Sequence, residues 1–161
     1  MACSVYGAQF LLEALYDLGE PDAALSLMTS QSDRSWANMI REGSTITMEA
    51  WGNKWKPNQD WNHAWGAAPA NIIPFRLMGV RPASPAFEEV EIRPRTGNLA
   101  EAECRVPSPK GPITVSISDG QMRVSLPKGV RAKVFLPVDG GRSHRRVRGY
   151  VKGERSWTLK K

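Results

Sequence analysis

The strongest constraint on the fold is a change of texture at Arg81-Pro82-Ala83-Ser84-Pro85, where helical spacing of apolar residues gives way to strict alternation. Before that point, Val5, Ala8, Leu11, Leu12, Leu15 and Leu18 recur at helix intervals, with Ser4 placed to cap the start and Gly19 placed to end the helix in a left-handed turn. Pro21 suits the first turn of a second helix running to about residue 30, so the opening is an antiparallel helical hairpin. A short helix is predicted over 34–40. A last, nearly all-round apolar segment lies between 62 and 78, regular from about Pro69, kinked at Pro74, stopped by Gly79 and expected to be deeply buried.

After the break, Ile113, Val115 and Ile117 alternate, Asp119-Gly120 supplies the residues of a tight hairpin turn, and Met122, Val124 and Leu126 alternate back. A further strand is predicted over 130–136, with shorter ones over 90–92, 102–106, 147–151 and 157–159, at the spacing of an antiparallel sandwich. The chain is therefore expected to be α + β and multidomain, helical over 1–82 and β over 83–161.

Charge divides at the same place. Residues 1–82 carry six Lys/Arg against eight Asp/Glu, hence −2, and 83–161 carry sixteen against eight, hence +8. The basic residues alternate with apolar ones and build no helix, zinc or aromatic RNA-binding motif, which argues against nucleic acid and for a solvated basic sheet face. No apolar run approaches the ~18 residues of a membrane span, and no membrane partner is expected. The first residues lack a signal-peptide pattern, so any targeting segment would precede Met1 in a parent protein and the compartment stays open. Cys3 and Cys104 form neither a metal motif nor a disulfide framework, and two packed thiols are expected. The opening helix has no partner before it to cover its apolar face, which leads us to expect a piece of something longer.

Five of the six tryptophans, Trp36, Trp51, Trp55, Trp61 and Trp65, fall within thirty residues. Sugars present flat C–H faces and a rim of hydroxyls, so their sites combine aromatic platforms with carboxylates, amides and imidazoles. This segment supplies Glu49, Asn53, Asn58, Asn62 and His63 beside those rings, with Trp51, Trp55, Asn62 and His63 as candidate sugar contacts. Glu49 stands in the β-prone run Gly43-Ser44-Thr45-Ile46-Thr47-Met48-Glu49-Ala50-Trp51 and is the candidate general base. A lone Glu is ordinarily a surface residue and a lone His at a helix start ordinarily bonds backbone, so grouping alone singles these two out. No second His or Cys stands at ligand spacing, so no metal and no cofactor is expected.

Gly43 to Trp51, Asn62-His63-Ala64-Trp65-Gly66, Leu77-Met78-Gly79-Val80-Arg81-Pro82 and Ile92-Arg93-Pro94, in that order, resemble the C-terminal part of bacterial α-L-rhamnosidases, glycoside hydrolase family 78. The opening hairpin and the Pro109-to-Ile113 turn into a strand extend the resemblance to Leu136. It implies the last helices of an (α/α)6 barrel, then the C-terminal β-sandwich, and inverting release of terminal α-L-rhamnose from an oligosaccharide or glycoside. Residue by residue, Glu49 matches the family's general base, His63 its sugar-binding histidine and Trp51 an aromatic beside the base. Ile46 and Met48 stand where the family commonly has Thr and Trp. The general acid belongs to an earlier barrel segment, so the rest of the barrel is the implied partner and the isolated chain is expected to be inactive. Alternatives are another helical-barrel glycosidase, or a carbohydrate-binding or structural β module using Arg142, Arg145, Arg146 and Arg148.

Overall fold

The structure is a computed structural model that describes residues 1–159; residues 160 and 161 of the expected β domain lie outside the described residues. Its contacts divide into two units, Met1–Ile72 and Ile73–Lys161. The division falls ten residues before the 82/83 boundary read from composition. The reason is that Val80–Pro82, not foreseen as a strand, pairs with a strand of the second unit.

In the first unit, α1 (Gly7–Asp17) begins where the Ser4 hydroxyl accepts from the Gly7 amide at 3.0 Å. It ends at Gly19, φ +79°, where the Gly19 and Glu20 amides bond the Tyr16 and Leu15 carbonyls. Its buried stripe is Ala8, Leu12 and Tyr16, continued by Val5 just before the helix. Leu18, expected on that stripe, is 76% exposed because it lies past the last turn, and Tyr16 takes the inner position instead. Burial of a side chain such as Leu12 contributes about 1.5–3 kcal/mol. Helix α2 (Pro21–Met28) starts on Pro21, and α3 (Trp36–Arg41) is capped by the Ser35 hydroxyl, which accepts from the Asn38 amide at 3.2 Å. Val5, Ala8, Met39, Met48 and Trp51 form a core, with Cys3 and Trp36 packed against it.

The last apolar segment is not one helix. It is a 3-10 turn (Ala64–Gly66), then α4 (Ala68–Ile72), then a π-helical turn (Ile73–Leu77). Pro69 sits in the first turn of α4, and Pro74, having no N–H to donate, falls where the helical pitch widens. Nor is the segment buried all round: Ile72, Leu77 and Met78 are inside, whereas Trp65 and Ile73 are 46% and 41% exposed.

The second unit is a sandwich of two four-stranded sheets, with order β1-β2-β6-β7 and β3-β4-β5-β8. Strands β1 (Val80–Pro82), β2 (Glu89–Ile92), β6 (Arg131–Val138) and β7 (Ser143–Arg146) form the first, and β3 (Ala102–Val106), β4 (Ile113–Ser118), β5 (Gln121–Ser125) and β8 (Glu154–Thr158) the second. Every pairing is antiparallel except β2 with β6, which is parallel. The β4–β5 hairpin turns on Asp119 and Gly120, both at positive φ (49° and 69°), the geometry that makes Asp-Gly favourable there. Ile113, Val115, Met122, Val124, Val90, Ile92, Ala132 and Val134 alternate into the interior. The strand expected over 147–151 is absent: β7 lies earlier, Gly149 at φ +76° turns the chain, and Val151 alone bridges Ala132. Cys3 and Cys104 are free thiols.

Candidate functional site

The candidate site is built by the chain leaving α3. Gly43, φ +90°, closes that helix as the Ser44 amide bonds the Met39 carbonyl at 3.0 Å, and the chain then continues into residues 47–49. This stretch lies antiparallel to residues 60–63. The His63 amide donates to the Thr47 carbonyl at 2.9 Å, and the Glu49 amide donates to the Asp60 carbonyl at 3.0 Å. The Thr47 hydroxyl adds a bond to the His63 carbonyl at 2.6 Å. The loop between them is pinned by buried Gln59, whose carbonyl oxygen accepts from the Ala50 amide at 2.8 Å and whose amide group donates to Asn53 Oδ1 at 3.1 Å.

Two sequence candidates thus come together. Glu49 Oε1 is ion-paired with Lys56 Nζ, and Glu49 Oε2 accepts from the Asp60 amide at 3.2 Å. The Lys56 ammonium first, and the Asp60 amide second, hold the Glu49 carboxyl below the usual carboxylate range, against the smaller opposing effect of desolvation. His63 Nδ1 is buried with no hydrogen-bond partner among the described residues, and Asp60 Oδ2 lies 3.9 Å from it. Ligand atoms of Glu49, Asp60 and His63 all fall within 4.8 Å of one another. Two carboxylates and an imidazole are a possible donor set for a divalent cation, but the Lys56 ammonium already occupies Glu49 and opposes added positive charge. The same groups suit a polyhydroxylated ligand, with carboxylate acceptors for hydroxyl protons beside an imidazole ring.

The other candidates are placed differently. Trp51 is 2% exposed, packed edge-on to Trp36 with ring centroids 5.1 Å apart, and its Nε1 donates to the Cys3 carbonyl at 2.8 Å. It is a core residue and not a pocket wall, because the chain bends over 49–51 and Trp51 joins Met48 in packing on Val5, Ala8 and Met39. Trp55 is 43% exposed, but its ring already carries the Arg34 guanidinium at 4.4 Å and the Lys54 ammonium at 5.2 Å. Asn62 is exposed beside Asp60 and His63.

Sequence reasoning missed Lys56, Asp60 and an aromatic row. The His63 ring stands 4.4 Å from Trp65, Trp65 5.5 Å from Tyr6, and Tyr6 5.6 Å from Phe10. Asp60 was visible as an acid three residues before His63. The row was not, since Tyr6, just before α1, and Phe10, within it, are far away in sequence.

Residues 1–76 match the family model described as the bacterial alpha-L-rhamnosidase 6 hairpin glycosidase domain, and residues 79–150 match that of the bacterial alpha-L-rhamnosidase C-terminal domain. No curated protein matches the chain. Among solved structures, native alfa-L-rhamnosidase from Aspergillus terreus superposes with TM-score 0.81 at 23% identity, over 95% of this chain and 19% of that one. The alpha-L-rhamnosidase of Dictyoglumus thermophilum gives TM-score 0.71 at 22% identity, over 83% and 16%. The Streptomyces avermitilis alpha-L-rhamnosidase, solved with L-rhamnose bound, gives 0.69 at 27%, over 83% and 14%. The chain spans less than a fifth of the length of each. The helices match the last ones of such barrels, and the sandwich matches the β domain that follows.

Proposed function

Because the chain belongs to the bacterial α-L-rhamnosidases of glycoside hydrolase family 78, we propose that it supplies the general-base side of an inverting glycosidase releasing terminal α-L-rhamnose. The observation that carries this reading is the pairing of residues 47–49 with 60–63, which sets an ionised Glu49 beside Asp60 and His63. An inverting enzyme needs a carboxylate that takes a proton from water on one face of the sugar. A second, protonated carboxyl about 6.5–9.5 Å away serves the leaving oxygen. Glu49 is the first of these. Asp60 and the His63 ring bind sugar hydroxyls, and Trp65, packed on His63, offers its face to the C–H side of the ring.

Lys56 has two effects. It keeps Glu49 ionised, and its cation must move aside or share the carboxylate when the attacking water docks. The proposed general acid lies outside these residues, so the isolated chain is inactive: a water activated by Glu49 has no protonated leaving group to work against. The test is to incubate an aryl α-L-rhamnoside with a protein that joins this chain to the preceding barrel segments, following the anomer first released by NMR. Initial β-L-rhamnose supports the proposal. Initial α-L-rhamnose, or rhamnose release by the isolated chain, overturns it.

A further inference from the structure

The second unit carries a cleft of about 780 Å³, remote in sequence from Glu49, that no step of the proposed reaction uses. Six charged residues line it: Glu88, Glu89, Lys110, Lys128, Arg131 and Lys152. Both carboxylates are already committed. Glu88 is ion-paired with Lys110 at 3.0 Å, and Glu89 is ion-paired with Arg131 and accepts from the Tyr150 hydroxyl at 3.1 Å. Lys110 also donates to the Gly129 carbonyl at 3.1 Å, tying one turn across the cleft to another.

Lys128 and Lys152 are left without a carboxylate partner among the described residues, giving the lining a net charge of two positive. The fold, and not chance, puts them together. Lys128 occupies a turn closed by the Val130 amide on the Pro127 carbonyl at 3.2 Å, with Gly129 at φ +85°. Lys152 precedes Gly153, φ +64°, whose carbonyl accepts from the Leu126 amide at 3.1 Å, so the two turns are bonded side by side. Leu126 and Val130 give the cleft an apolar floor.

We propose that this cleft binds a carboxylate-bearing saccharide, such as a uronate unit, with the Lys128 and Lys152 ammonium groups on the carboxylate and the sugar's C–H face on the apolar floor of Leu126 and Val130, beside Pro127. Choosing a saccharide among anions rests on the glycosidase reading above. The site itself does not, since none of its residues takes part in that reaction. Two uncommitted lysines in a cleft with an apolar floor match a ring that carries its charge at one edge, whereas a polyphosphate would prefer the denser Arg142 to Arg148 run.

The experiment is a calorimetric titration of the whole 161-residue chain with an oligogalacturonide, with its methyl-esterified form, and with a DNA oligonucleotide as a polyanion control. Binding of the carboxylated sugar, weak binding of the ester, and an affinity drop of about tenfold in Lys128→Ala/Lys152→Ala, as expected for two partly exposed charge pairs, support the site. Arg145→Ala/Arg148→Ala should then leave the sugar affinity unchanged. Both lysines sit on exposed turns, so circular dichroism should report an intact fold in each variant. The proposal is overturned if no sugar binds, if the ester binds equally, if DNA binds as well and loses affinity in the same lysine variant, or if only the arginine variant weakens binding. Rhamnose release by the joined protein tests the glycosidase reading separately, so the two can fail independently.

Discussion

Thr47 and His63 are bonded to each other twice, the His63 amide donating to the Thr47 carbonyl at 2.9 Å and the Thr47 hydroxyl donating to the His63 carbonyl at 2.6 Å. The second bond fixes the register in which Glu49 faces Asp60. Thr47→Val keeps the shape and removes only the hydroxyl, leaving a half-buried carbonyl short of one donor. The expected cost is about 1 kcal/mol of stability, read as a lower denaturant midpoint at unchanged slope. In the joined protein it should raise KM more than it lowers kcat, because it loosens His63, the proposed sugar contact. An unchanged midpoint would mean that the bond does not hold the register.

Glu49→Gln is nearly isosteric and removes the proposed base. In the joined protein it should abolish turnover while leaving rhamnose affinity within a small factor, measured by titration with the free sugar. Retained turnover would move the base to another residue. Asp60, whose carboxylate lies beside His63, is the first alternative.

Lys56→Gln tests what keeps Glu49 ionised. The Lys56 ammonium is the largest influence holding that carboxyl low, so its loss should raise the Glu49 pKa toward the ordinary carboxylate value. The sign for stability follows. A depressed folded-state pKa contributes stability that is present above the unfolded value and lost as pH falls through the folded value. The wild-type chain should therefore be the more stable of the two at neutral pH and lose that advantage as pH falls through the folded-state Glu49 value, whereas Lys56→Gln should show the shallower loss in acid. The acid limb of kcat/KM should move to higher pH in the variant. A carbon-13 carboxylate titration of Glu49 that is identical in the two chains would remove Lys56 from this role.

Much of this was legible in sequence where a local rule acts on neighbouring residues. The α1 end at Gly19, the α2 start at Pro21, the Asp119-Gly120 hairpin and the alternation along β4 and β5 each need only a turn geometry or a period. The parallel β2–β6 pairing and the Val80–Pro82 edge strand were not legible, because both depend on which distant strand arrives beside them. The site divided likewise. Glu49 and His63 could be singled out by composition and resemblance, but the pairing that joins them, and the arrival of Lys56 on Glu49, are tertiary facts. Trp51 went astray for a related reason: its position near the proposed base says nothing of how the chain bends over 49–51, and past that bend Trp51 packs inward with Met48.

That placement of Trp51 carries the last prediction. Its ring fills the core between Val5, Ala8, Met39 and Met48, and its Nε1 spends its only proton on the Cys3 carbonyl at 2.8 Å. Trp51→Ala should cost about 3–5 kcal/mol, the range for emptying a buried aromatic position. Trp51→Phe should cost less, since it keeps most of the packing and loses the hydrogen bond. If Trp51 touched sugar, Trp51→Phe would instead weaken rhamnose binding in a protein of nearly wild-type stability. Measuring both variants by thermal melting and by titration of the joined protein separates the two roles. Loss of stability with affinity preserved, in the Phe variant, is the outcome that its burial demands.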